Sequence, residues 1–98
     1  MLIRNDDIVL RKIADKSYLI NIKDNYNGDM CKLYEINEIG DFIWNQLNNP
    51  NTLENIVDKL YKLTSSHIDY TTIYNDVEDF IYVLINLKFI RNYISESL

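Results

Sequence analysis

Apolar and polar positions alternate with a period near two in the first third of the chain and fall into helical stripes thereafter. Ile8 to Ala14 is rich in apolar residues, with Arg11 and Lys12 interrupting a clean alternation, which suggests a bulge or an edge strand. Tyr18 to Lys23 alternates regularly, with Tyr18, Ile20 and Ile22 pointing one way. The polar link Asp15-Lys16-Ser17 makes these two runs a hairpin. Asn27-Gly28 supplies the positive φ angles of a second tight turn. Lys32 to Ile36 follows as a third short strand, with Tyr34 and Ile36 on one face and Leu33 and Glu35 on the other.

Beyond Ile36 the period changes to that of a helix. Asn37 is a good N-cap, and Glu38 and Asp41 in the first turn complement the helix dipole. Ile39, Phe42, Ile43 and Leu47 recur at helical spacing until Asn48-Asn49-Pro50-Asn51 ends the segment. Thr52 caps a second helix with a stripe of Leu53, Ile56, Val57, Leu60 and Leu63. Ser65, Ser66 and Asp69 break the chain before a third helix from about Thr71 to Leu87, whose inner face is Ile73, Val77, Phe80, Ile81, Leu84 and Leu87. Phe89 and Ile90 resume an extended apolar end. Strands grouped ahead of helices indicate an α+β fold: three N-terminal antiparallel strands followed by three helices, an order compatible with a winged helix-turn-helix relative.

Ninety-eight residues suffice for one domain with one modest core, expected to span 1–98. The formal charge is −5, and the whole excess lies beyond Asn37, where Lys59, Lys62, Lys88 and Arg91 oppose nine carboxylates. Such a surface repels phosphate backbones. A single cysteine, Cys31, forms no internal disulfide, and Asp6 and Asp7 stand where a signal peptide needs an apolar run. No stretch reaches the length of a membrane span, so the cytoplasm is the expected compartment.

Candidate chemistry is sparse. Cys31 and His67 are the sole thiol and imidazole, and a lone histidine in a polar loop between helices reads as a solvated residue rather than as half of a catalytic pair. Asp76, Glu78 and Asp79 point to different sides of one helix and have no histidine or cysteine beside them, which makes them a solvated face rather than a metal site. Gly28 and Gly40 are too far apart to cradle a phosphate. Gly40, near a helix start, implies close packing, and Trp44, off the main stripe, is expected to complete the core, with the lining of a binding surface as the alternative. The third helix offers acids where a DNA-reading helix presents Lys, Arg, Asn or Gln. The expectation is therefore a protein with no catalytic residues, cofactor, metal or nucleic-acid partner. Strand addition, in which an extended peptide pairs with an unprotected sheet edge beside an apolar helix wall, is one of several binding modes that fit this pattern.

The run Tyr34-Glu35-Ile36-Asn37-Glu38-Ile39-Gly40-Asp41-Phe42-Ile43-Trp44 resembles the PqqD-like family of peptide chaperones, also called RiPP recognition elements. The matching features are the strand-ending Ile36, then Asn37-Glu38, the small Gly40 and the Ile43-Trp44 pair. Thr52 with Ile56, and the long acidic helix from Asp76 to Leu87 followed by Phe89-Ile90, continue the likeness over about Ile8 to Ile90. The resemblance implies a leader peptide of a ribosomal precursor, bound as an added strand along Lys32, Leu33, Tyr34, Glu35 and Ile36. It also implies contacts from the third helix, for which the candidates are Tyr74, Val77, Glu78 and Ile81. The acidic groove suggests some basic character in the leader. The expected partner is a separate peptide-modifying enzyme, radical or ATP-dependent, since the chain reads as a stand-alone module. A monomer and a strand-exchanged dimer are both compatible with the resemblance. The alternative reading is a winged-helix interaction or regulatory subunit without a precursor peptide.

Overall fold

A computed structural model describes residues 1–23, 33–64 and 67–92. The element order is β1 (Leu2–Arg4), β2 (Ile8–Ile13), β3 (Lys16–Asn21), β4 (Leu33–Ile36), α1 (Glu38–Gln46), α2 (Leu53–Leu63), α3 (Tyr70–Asn86) and β5 (Ile90–Asn92). β2, β3 and β4 form an antiparallel sheet in that order, while β1 pairs antiparallel with β5. The α+β architecture of a small antiparallel sheet followed by three helices matches the sequence reading. The turn at Asn27-Gly28, together with Cys31, Lys32, Ser65 and Ser66, lies outside the described residues.

The first hairpin turns at Ala14-Asp15, one residue earlier than the polar link suggested, and both residues have positive φ (52° and 68°). This is the two-residue geometry whose twist matches the flanking strands. It pairs Ile13 with Lys16 and runs without interruption to Ile8 and Asn21. β2 is thus an edge strand with no bulge. The register also decides which side of β3 is core. Leu19 is fully buried and Ser17 nearly so, whereas Tyr18 and Ile20 are half-covered and Ile22 is 51% exposed. The regular run Tyr18, Ile20, Ile22 therefore marks the face turned away from the helices.

Both expected caps form. The Asn37 side chain accepts the Gly40 N–H at 2.8 Å, and Thr52 Oγ1 accepts the Asn55 N–H at 3.2 Å. Each such cap contributes about 1 kcal/mol. α3 starts after Asp69, which makes no side-chain cap bond. Its other end closes with the Phe89 N–H bonding to Leu84 O and the Lys88 N–H to Ile85 O, with Lys88 at φ 63°. These are the paired bonds of a Schellman motif, here with lysine where glycine is usual.

The core joins Ile8, Leu19 and Ile36 from the sheet with Ile43, Trp44 and Leu47 of α1, Ile56, Val57 and Leu60 of α2, and Ile73, Val77, Ile81 and Leu84 of α3. Trp44 is 1% exposed, so it completes the core as expected, with the Arg4 guanidinium 5.7 Å from its ring centroid. Three stripe members depart from expectation: Ile39, Leu63 and Leu87 are exposed. Leu63 and Leu87 sit at helix ends, past the last turn that a neighbour covers, and Ile39 sits in the first turn of α1. β1 and β5 lie outside the strand set read from the sequence, although Phe89-Ile90 had signalled an extended end. Their pairing ties the two ends of the described chain together.

Candidate functional site

The open side of the sheet follows from one hydrogen bond and the strand registers. Ile22 N–H donates to Asp7 O at 2.9 Å, continuing the β2–β3 ladder by one hydrogen-bonded pair. Hydrogen-bonded and non-bonded pairs alternate along an antiparallel ladder. In β3, Lys16, Tyr18 and Ile20 therefore direct their backbone groups at β2, while Ser17 and Leu19 direct theirs at β4. Ser17 pairs with Ile36, and Leu19 with Tyr34. The backbone N–H and C=O of Tyr34 and Ile36 are thus used within the sheet, and those of Leu33 and Glu35 point away from it. Among the described residues no further strand pairs with β4.

The wall beside this edge comes from α3 and the segment after it. The rings of Tyr34 and Phe89 meet edge to face, with centroids 6.2 Å apart and planes at 87°. Around the Cβ position that Gly40 lacks, Ile36 Cβ lies at 3.0 Å and Phe80 Cζ at 3.1 Å. Phe80 is therefore seated where β4 passes into α1. Val83 and Leu87 follow it at helical spacing on the same flank, 39% and 43% exposed. Phe89 and Phe80 thus stand beside β4 and its junction with α1, and Val83 and Leu87 continue the same exposed apolar flank of α3.

The sequence-derived candidates divide within this geometry. Leu33, Glu35 and Tyr34 line the edge strand, Leu33 and Glu35 exposed and Tyr34 half-buried, whereas Lys32 lies outside the described residues. Ile36, Val77 and Ile81 are buried in the core. Tyr74 is half-buried against the core and Glu78 is half-buried. At about 100° per residue they stand roughly 120° and 160° around α3 from Phe80. The structure thus brings the β4 residues together with Phe80 and Phe89, and Tyr74 and Glu78 lie on a different flank. Phe80, Val83 and Phe89 were absent from the sequence-derived site. The signal that points to them is the Phe80–Val83–Leu87 spacing read jointly with the aromatic residue after the helix.

Polar groups gather at the hairpin end of β4. Lys16 Nζ lies 3.3 Å from Glu35 Oε1. Asp41 accepts from Ser17 Oγ at 3.4 Å and Asn45 Nδ2 at 3.1 Å, with Lys12 Nζ at 4.0 Å. Lys12, Lys16, Ser17, Glu35 and Asp41, together with Glu38, border a concavity of about 540 Å³. Among the described residues no group of three or more His, Cys, Asp or Glu is arranged to hold a metal ion. No described helix is long and apolar enough to cross a membrane.

A small antiparallel sheet, whose edge strand β4 has no further partner among the described residues, followed by three helices defines a winged-helix-like α+β class of fold. Residues 25–90 match the family model described as coenzyme PQQ synthesis protein D (PqqD), and the chain belongs to that family. Among solved structures it is similar to TbiB1, determined in complex with the TbiA(beta) leader peptide. That likeness has a TM-score of 0.70 at 22% identity and covers 95% of this chain and 99% of that one. No curated protein sequence matches the chain.

Proposed function

We propose that this protein is a non-catalytic peptide chaperone. It captures the leader of a ribosomally synthesised precursor as an added strand on β4 and holds it for a separate modifying enzyme in the cytoplasm. The observation that carries this reading is the edge at Leu33 and Glu35, with which no other described strand pairs, beside the apolar flank of Phe80 and Phe89. Membership of the PqqD family supports it, as does the likeness to a chain solved with a leader peptide bound. The proposed peptide site comprises Lys32, Leu33, Tyr34, Glu35 and Ile36 on the strand side. Val77 and Ile81 form its floor, with Tyr74 and Glu78 farther around α3. Phe80, Val83 and Phe89 add the wall nearest β4.

Main-chain pairing with an edge strand gives register and much of the affinity while leaving side-chain identity to the pockets. Each net backbone hydrogen bond contributes about 0.5–1.5 kcal/mol, against which the peptide loses the entropy of an unfolded chain. The result is moderate, reversible binding, which suits a carrier that must release its cargo.

The test is a titration of the ¹⁵N-labelled protein with a synthetic leader from a precursor gene adjacent to its own. Saturable shifts concentrated in residues 32–36 and on α3 are expected. Failure of every neighbouring leader to bind would overturn the carrier reading and favour an interaction or regulatory subunit.

A further inference from the structure

We propose that the outer face of the sheet reads alternate side chains of the bound strand. It selects a peptide in which an apolar residue and a lysine or arginine stand two positions apart. This inference rests on the strand-addition reading above and adds the chemistry of the peptide to it. In the observed registers Val9, Ile20 and Leu33 form one row across the three strands, and Arg11, Tyr18 and Glu35 form the next. These residues face away from the helices, because Ile8, Leu19 and Ile36 are the buried set. The first row is apolar throughout and ends at Leu33, 46% exposed. The second ends at the carboxylate of Glu35.

A strand added to β4 continues both rows at a spacing of about 4.8 Å. The peptide residue beside Leu33 extends an apolar row, and the one beside Glu35 faces a carboxylate. Lys16 does not close that position. Its ion pair with Glu35 joins side chains that are 64% and 53% exposed, and such pairs are weak and easily exchanged. Carboxylates outnumber amines around the concavity next to Glu35: Asp15, Glu38 and Asp41 join Glu35 there against Lys12 and Lys16. Asp41 is engaged by Ser17, Asn45 and Lys12. The order of the two residues reports strand direction. In an antiparallel arrangement the basic residue precedes the apolar one, and in a parallel arrangement it follows.

The test is selection of a random 12-residue peptide library displayed on phage against the full chain. Enriched peptides are then synthesised and titrated calorimetrically against wild type, Glu35→Gln and Glu35→Lys. The expected consensus carries a basic and an apolar residue two apart. Changing the basic residue to Glu should weaken binding to wild type roughly fivefold, as cross-strand charge pairs imply. Glu35→Lys should reverse that preference and Glu35→Gln should flatten it, both effects shrinking in high salt. Enriched peptides indifferent to charge at this position in all three proteins would overturn the inference and leave strand addition standing. A library that yields no binding peptide would overturn both.

Discussion

Gly40 and Phe80 are locked together: a methyl group on Gly40 would lie 3.1 Å from the Phe80 ring and 3.0 Å from Ile36 Cβ. The Asn37-capped start of α1 thereby lies directly against both the end of β4 and the wall of α3. On an exposed helix Gly→Ala gains about 1 kcal/mol. Here the sign reverses, because Ile36 Cβ is fixed to the backbone and has no rotamer by which to retreat. Gly40→Ala is expected to destabilise the protein by about 1–2 kcal/mol through overpacking. Urea unfolding with an unchanged slope would measure it, and a variant as stable as wild type would contradict the packing described.

The sequence already carried the helices, their caps and the order of the main sheet, because Asn37 and Thr52 announce helix starts and the α2 stripe is regular. The core side of β3 was harder to read. Tyr18, Ile20 and Ile22 present the stronger alternation, yet the Ala14-Asp15 turn sets a register that buries Leu19. β1 escaped notice because three residues carry no periodicity, and Leu2–Arg4 becomes a strand only by pairing with β5. At the site, β4 was visible as a short alternating run. The flank of α3 beside it was not, since Phe80 and Tyr74 both border the buried stripe. Only the contact of Phe80 with the β4–α1 junction separates the two sides.

Lys88 occupies the left-handed position that ends α3, with φ 63°. An L side chain there costs about 1–2 kcal/mol that glycine avoids. The Lys88 side chain is exposed, so its removal costs little. Lys88→Gly should therefore stabilise the fold by about 1 kcal/mol, raising the melting temperature by roughly 4–8 °C for a chain of this size. An unchanged or lower midpoint in a thermal melt would argue against the Schellman ending.

Tyr70 donates its hydroxyl to Asp58 Oδ1 at 2.8 Å and meets the ring of Tyr61 edge to face. The bond to Asp58 is the main cause that raises its pKa above the ordinary 10.0, with desolvation and the Asp58 charge adding to it. A raised folded-state pKa favours the neutral phenol. Its stabilising contribution is therefore complete below the unfolded value and is lost as pH rises through the folded one. Asp58→Asn should lower the Tyr70 titration midpoint toward 10 and shift the onset of alkaline destabilisation with it. Tyrosine ring resonances followed above pH 9 give the midpoint, and an unmoved Tyr70 curve would rule out Asp58 as the cause.

Glu35 and Tyr34 are neighbours in β4 with opposite backbone duties, and proline separates them. The Tyr34 N–H is directed at Leu19, within the sheet, whereas the Glu35 N–H points to the open edge. Proline lacks this donor and is tolerated on edge strands, where its fixed φ fits extended backbone. Glu35→Pro should keep the fold, with a midpoint within a few degrees of wild type on the scale of about 4–8 °C per kcal/mol. It should weaken leader binding about tenfold by removing a peptide-facing hydrogen bond and blocking close approach. Tyr34→Pro should instead break the β3–β4 ladder and lower stability by about 1–3 kcal/mol. Circular dichroism melts and calorimetric titration of both variants with one leader make the comparison. If Glu35→Pro bound as tightly as wild type, the peptide would not be pairing with the outward groups of β4.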